Sequence, residues 1–387
     1  MGPLNRLKTL IVGAGIGGLA TAIALRDAGV DVQVFERSNE LRESGAGLMI
    51  WPNGTRSLQA LGVEVRRLAV DRISFRDWRG HELIDIPVDM ISKRYGSGIA
   101  FVSRTDLQTA LSNRLGRQAL NLGAEVCSFE DAGDHVDITF GDGHLATGDL
   151  LVGADGLRSV VRRELLRDGE PFYLGSTIWR GVVDSDGLAL DRGHGVNWVG
   201  RGSEFLAFDL PDDRIYWAAV TREPPGEKPG PEGHKQDLLE RFGRWQDLVP
   251  ALIARTSDAA MVRNDMYDRR PSSHWSRGRV TLVGDAAHPM TPNQGQGACQ
   301  ALEDAVALGR CLTQTSNATD ALRLYERQRL RRANRVVRAS RQATRGVQID
   351  NPVLCAIRDT LVRLLPRTLM LRMLDDTLSA APSVGLS

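Results

Sequence analysis

The stretch from Thr9 to Glu36, TLIVGAGIGGLATAIALRDAGVDVQVFE, most narrowly limits what this chain can fold into. An apolar run, Leu10 to Val12, meets Gly13-x-Gly15-x-x-Gly18, with Gly17 inside the same turn. A helical stretch, Gly29 and a second apolar strand, Val30 to Phe35, follow, and Glu36 closes the unit. A strand, a tight turn, a helix and a returning strand in so few residues form the βαβ unit of a doubly wound α/β fold. Gly13 permits the turn, Gly15 lets backbone approach a pyrophosphate, and Gly18 lets the helix pack closely on the strand. The helix N-terminus then offers free N–H groups and a positive dipole end to phosphates. Glu36, 18 residues beyond Gly18, is placed to accept both hydroxyls of an adenosine ribose. The stretch predicts dinucleotide binding and leaves open which dinucleotide.

A chain of 387 residues exceeds the ~250–300 at which one core stops growing, so two closely packed domains are expected. Lys and Arg total 49 against 48 Asp and Glu, which leaves no bulk charge to attract nucleic acid or an anionic membrane. Cys127, Cys299, Cys311 and Cys355 show no CxxC and no metal-ligand spacing, so free thiols and no metal site are expected. No apolar run approaches the ~18 residues of a membrane-spanning helix. The first residues, MGPLNRLK, lack the apolar core of a secretion signal. These features suggest a cytoplasmic protein, monomeric or homodimeric.

After Glu36 the chain turns polar and glycine-rich. Arg37 is placed to cover an adenine or ribose face, and Arg42 to Gly47 to run beneath the reactive end of a cofactor. Residues 73–87 read as a hairpin inserted into the first domain, and Ser103 or Thr105 caps a helix that begins near Arg104. Gly123 to Phe129 is another strand, with Val126 a further candidate for cofactor contact. Leu150 to Gly156 is an apolar strand running into Gly-Ala-Asp-Gly, which makes Asp155 a second acid on a tight turn. From Tyr173 to Val220 the chain is rich in strands and tryptophan. Alternation in SEFLAFDL and RIYWAAV predicts a sheet with one face packed and one facing a cavity. Arg279 to Asp285 is a further apolar strand ending in glycine and acid, and a helix begins at Ala298, directly after Gly295 and Gly297. The arginine-rich helix from Asp320 to Arg345 reads as a solvated face, and Pro352 to Leu378 as two short helices.

Three separated segments therefore share one logic of strand, glycine, acid and helix. The first suits an adenosine diphosphate. Asp285 suits the hydroxyls of a second sugar-like chain, and amides at Gly295, Gly297 and Ala298 suit negative charge on a reduced isoalloxazine. A flavin dinucleotide uses all three, whereas a nicotinamide dinucleotide does not.

GAGIGG, GADGLRS and GDAAHPMTPNQGQGACQALEDA resemble the three fingerprints of single-component FAD-dependent aromatic hydroxylases, the group of salicylate hydroxylase, 3-hydroxybenzoate 6-hydroxylase, urate hydroxylase and zeaxanthin epoxidase. Arg104 with Leu107 also matches the arginine that leads a helix and meets FAD in that group. The resemblance runs from Thr9 to Arg345 and implies an α/β protein (α+β overall). A Rossmann-like FAD-binding domain would comprise residues 1–72, 98–174 and 265–345, a β-sheet substrate domain 73–97 and 175–264, and C-terminal helices 346–387. NADH or NADPH would bind only transiently, consistent with the lack of a second GxGxxG. Asp155 would touch FAD or the nicotinamide route; His288 would make a structural hydrogen bond, and Cys299 would pack a helix.

The chemistry implied is monooxygenation. NAD(P)H reduces FAD, O2 adds at C4a, and the resulting hydroperoxide passes its distal oxygen to an electron-rich aromatic or natural-product-like molecule. Hydroxylation is the leading outcome, with epoxidation, Baeyer–Villiger insertion, dehydrogenation or a non-catalytic FAD-binding role as alternatives on the same fold. Pro292 and the 291–297 loop would wall the flavin face. Arg180, Tyr216 and Gln294, with Trp179, Trp198, Phe205 and Phe208, are the candidates on the substrate side. Urate hydroxylases place an asparagine near Arg180 and an arginine near Glu204; the departure here at both positions argues against urate. No His or Tyr declares itself as a base for a phenol.

Overall fold

The computed structural model describes residues 7–41, 46–228 and 233–379. Its first layer is a six-stranded sheet in the order Ser276–Arg277, Val280–Leu282, Leu150–Gly153, Lys8–Val12, Asp31–Glu36 and Leu120–Leu122. All neighbours run parallel except the first pair. The glycine turn is fixed by sterics. Gly13 has φ +103°, and a Cβ there would overlap the Ala154 carbonyl. A Cβ on Gly18 would overlap the Gly13 carbonyl oxygen, so the Ile16–Asp27 helix lies against its strand only because both positions lack side chains. On its other side this helix packs against the Gly297–Gln314 helix, where Gly309 meets Ala24.

The second layer is a seven-stranded sheet: Val262–Asp268, Phe172–Asp184, Arg214–Thr221, Glu204–Asp209, His194–Val199, Arg72–Asp77 and Glu82–Ile86. The expected hairpin is present and joins this sheet's edge, its first strand parallel to His194–Val199. Because side chains alternate along a strand, the register sorts this sheet into two faces. One row across it is Arg180, Ala218, Leu206, Asn197 and Phe75; a second, two residues along, is Ile178, Val220, Glu204 and Val199. These rows share a face.

The opposite face carries Trp179, Trp198, Phe205 and Trp217, which form a closed core with the helices His234–Phe242 and Leu248–Arg255. Trp217 donates to Thr256 Oγ1 at 2.8 Å and Trp179 to Thr221 Oγ1 at 2.9 Å, so two of these indoles find polar partners inside that core. Trp179, Trp198 and Phe205 are thus core residues and not substrate contacts. The size and chemistry of an aromatic do not reveal which face of a strand it occupies.

The basic helix spans Ala318–Val347. Arg323, Arg327, Arg331, Arg338 and Arg345 are exposed, as a solvated face requires, but Arg329 is buried. Pro352–Arg363 packs against the Glu82–Ile86 edge of the second sheet, and Arg367–Leu378 packs against the basic helix. Arg358 ties the first of them in place by donating to the carbonyls of Gly200 (3.3 Å) and, on the basic helix, Gly346 (3.2 Å). No helix among the described residues is long and apolar enough to cross a membrane.

Candidate active site

Between the two sheets lies a cavity of about 730 Å³. Gly15, Gly17, Arg104 and Asp285 line one end of it, Arg180, Asn197, Glu204, Phe208 and Tyr216 the other, and the Pro292–Ala298 segment runs between. The predicted residues Gly15, Gly17, Gly47, Arg104, Arg180, Phe208, Tyr216, Asp285, Pro292, Gln294, Gly295, Gly297 and Ala298 therefore share one space.

The first end is built to receive negative charge. The Ile16–Asp27 helix starts at Gly15 with no capping side chain and no acid in its first turn. A Cβ at Gly15 would meet nothing within 4 Å, so the amides there open onto free space. Glu36 steadies the turn, accepting from Ala14 N at 2.9 Å and Ser38 N at 3.0 Å; each oxygen keeps a lone pair for another donor. The Gly297–Gln314 helix likewise begins with no side-chain cap and no acid in its first turn. Ahead of it, Gly295 turns the chain at φ +60° beneath the Trp51 indole. Asp285 is open to the cavity; desolvation raises its carboxyl pKa, opposed by His288 and Arg104.

Other predicted residues are placed differently. Gly13 and Gly18 lie beneath the turn, and Arg37 is exposed. Val126 is buried in a separate three-stranded sheet and does not line the cavity. Arg42 lies outside the described residues. Asp155 is committed to capping: one oxygen accepts from Ser159 Oγ at 2.5 Å, the other from Val160 N at 2.7 Å and Val161 N at 3.3 Å. Its neighbours Ala154 and Gly156 face the cavity instead. An acid preceding a helix by a few residues suits either role, and the geometry favours the cap.

His288 takes the structural part foreseen for it. Its Nε2 lies 2.5 Å from Asp304 Oδ2, which also accepts from Gly284 N at 2.9 Å. Arg329 donates to Asp304 Oδ1 at 2.7 Å and to Glu303, and Glu303 also takes Asn53 Nδ2 at 2.6 Å. This buried cluster fixes the turn carrying Asp285 against the helix that starts at Gly297. Cys299, also buried, has its thiol pKa pushed up to about 12 by desolvation, which suits packing and not reactivity.

At the second end, Arg180 reaches Asn264 Oδ1 with one amino group, while its Nε is buried without a partner. Tyr216 leans on Phe208 with ring centroids 5.1 Å apart, and burial pushes its phenol pKa up to about 12. Gly47 is forced here: a Cβ would fall 2.7 Å from both rings. The residue that motif reading passed over is Glu204. It accepts from Asn197 Nδ2 at 2.5 Å and Asn293 Nδ2 at 2.6 Å, and desolvation raises its pKa against both amides and Arg358. The available signal was a charge placed in register with Leu206 and Phe208 on a strand whose interior is apolar.

Two uncapped helix starts on one cavity, with Asp285 on its wall and Glu36 steadying the glycine turn, beneath a mostly antiparallel sheet, define a flavin-dinucleotide enzyme of the doubly wound class. The family described as FAD binding domain matches residues 6–340, and the chain belongs to it. Aurachin C monooxygenase/isomerase from Stigmatella aurantiaca is 40% identical over 364 residues, spanning 93% of this chain and 94% of that protein. The 3-amino-4-hydroxybenzoate 2-monooxygenase of Streptomyces cremeus is 36% identical over 368 residues, 92% of each. The solved structure of Klebsiella pneumoniae HpxO with FAD and uric acid superposes with a TM-score of 0.90 at 32% identity, covering 96% of both chains. The protein is an FAD-dependent monooxygenase.

Proposed function

We propose that the chain inserts one oxygen atom from O2 into a small aromatic or natural-product-like molecule, most simply as a hydroxylation, with NAD(P)H as reductant. The observation that carries this reading is the continuity of the cavity: it joins the open helix starts to the inner face of the second sheet.

The residues fit FAD. Amides at Gly15 to Gly17 would hold the pyrophosphate, Glu36 the adenosine ribose, Asp285 the ribityl hydroxyls, and the Gly297–Ala298 amides the pyrimidine end of the ring. Arg104, half-buried on the cavity wall, adds the positive charge that a pyrophosphate calls for. When bound, FAD supplies hydride acceptance and oxygen activation. The chain supplies orientation and dryness. Pro292 and Gln294 border the space beside the ring, Phe208, Tyr216 and Leu206 form an apolar wall, and Arg358, Val362 and Leu374 from the C-terminal helices close it from solvent.

Urate is a poor candidate, although HpxO binds uric acid in its solved structure. Glu204 would set a carboxylate against an oxygen-rich, readily ionised ligand. The test is direct. Purified protein is expected to retain FAD, to oxidise NAD(P)H faster with the right aromatic compound, and to place label from 18O2 in the product. Protein that binds no flavin, or product labelled from water, overturns the reading.

A further inference from the structure

We propose that Glu204 and Asn197 form the substrate-recognition subsite, and that it takes the N–H or O–H donor of an uncharged, flat aromatic ring. The proposal rests on the monooxygenase reading and adds the substrate class to it.

Both residues line the cavity and are only 6% exposed, and they sit diagonally across two paired strands on its inner face. Their hydrogen bonds leave a subsite rich in acceptors. The Asn197 amide NH2 faces Glu204 Oε1, and the Asn293 NH2 faces Glu204 Oε2. Asn293 is itself held by Thr344 Oγ1, which donates to its Oδ1 at 2.6 Å. Each amide spends one of its two N–H groups on the carboxylate. Asn197 Oδ1 remains buried without a donor, and the Glu204 oxygens keep unused lone pairs. A buried acceptor left unpaired is costly, so a ligand that brings a donor gains what the site lacks. Arg358 does not fill this need, since its guanidinium is held by Gly200, Gly346 and Asp359.

The same arrangement excludes other ligands. An anion such as a benzoate would meet a carboxylate and an amide oxygen, a like-charge contact in a desolvated place. A fixed cation would meet Arg104, Arg180 and Arg358, which also face the cavity. The floor between is low and apolar: Ala218, Leu206 and Val220 lie in adjacent register, which favours a flat ring. Seated there, an N–H or O–H aimed at Glu204 becomes more acidic as the ring loses electron density. Its proton can pass to the carboxylate, leaving the bonding pair in the ring, and return when aromaticity is restored.

The experiment uses the FAD-loaded enzyme and three probes: quinolin-4(1H)-one, its N-methyl derivative and 2-naphthoate. Binding is read by titration calorimetry and by perturbation of the flavin absorbance, with FAD content as the measure of folding. In wild type, quinolin-4(1H)-one is expected to bind at least tenfold tighter than the N-methyl compound, and naphthoate weakest. Glu204→Gln should weaken the parent probe about tenfold and leave the N-methyl compound unchanged. Equal binding of the two quinolones by wild type, preference for naphthoate, absence of quinolone binding, or a Glu204→Gln enzyme that keeps the discrimination overturns the proposal. Lack of flavin in wild type would instead overturn the monooxygenase reading. If the variant does not fold, the wild-type comparison between the two quinolones still decides.

Discussion

Two pairs of carboxylates flank the same loop, and their environments push them in opposite directions. Glu303 and Asp304 lie beneath the Gly297 helix. Desolvation pushes both up, but Arg329 and Arg332 around Glu303, and His288 and Arg329 around Asp304, outweigh it. Glu303 falls below its usual range, and Asp304 falls to about 2. Glu204 and Asp285 line the cavity with no arginine in direct contact, and desolvation wins at each. The difference separates frame from site. Charges matched within the protein lock the loop to its helix, and charges left unmatched mark where a ligand must complete the structure.

The strongest way to break this comparison is to unmatch the first pair. Arg329→Met would leave Glu303 and Asp304 buried with their main cation gone, at an expected cost of about 3–5 kcal/mol. Urea denaturation at pH 7 would read it as a large fall in midpoint. Asp304 makes the pH dependence specific. Its folded pKa of about 2 lies below the unfolded value of 3.8, so its contribution is complete above about pH 4 and is lost as pH falls toward 2. Wild type should therefore lose stability steeply over that window, and Asp304→Asn should flatten the loss. An Arg329→Met midpoint equal to wild type would show that the cluster is ornamental.

How far the sequence foretold this depends on whether the constraint was local. The glycine turn, Glu36 and the helix starts after Gly15 and Gly295 were legible because short-range sterics and dipoles dictate them. Alternation on the strands announced a two-faced sheet, but not which face was inner. That is set by packing against helices more than a dozen residues away in sequence, so the strand pattern alone leaves Trp179, Trp198 and Phe205 open between core and cavity. Asp155 was legible as an acid on a turn but ambiguous between cap and ligand, because both use the same oxygens. Glu204 was hidden because its meaning comes from Asn197 and Asn293, the latter 89 residues distant. Arg329 was hidden among the solvated arginines of its own helix.

A smaller effect is expected when an unmatched acid loses its charge where a cofactor completes it. Asp285→Asn takes the negative charge from the acceptor proposed for the ribityl hydroxyls, weakening a charge-assisted hydrogen bond worth roughly 1.5–3 kcal/mol. FAD should dissociate about ten- to a hundredfold more readily, measured by flavin fluorescence on dilution. Thermal stability of the flavin-free protein should stay level, since Asp285 is open to the cavity there. A flavin-free protein destabilised as severely as Arg329→Met would erase the distinction between the two pairs.

The smallest effect is also the most diagnostic, because its sign is opposite to that of Asp304. The folded pKa of Glu204 is raised by desolvation, so folding favours its protonated form. Its contribution is complete below the unfolded carboxylate pKa and is lost as pH climbs through the raised folded value. Glu204→Gln keeps the shape and removes the charge, so between pH 4 and pH 8 the ligand-free variant should lose less stability than wild type, by on the order of 1 kcal/mol. The difference should build only as pH rises from 4, where wild type is protonated as well. Paired thermal melts across that range would show wild type falling away from the variant as pH rises. If it gains on the variant instead, Glu204 is held as a matched charge like Glu303, and the cavity wall belongs to the frame.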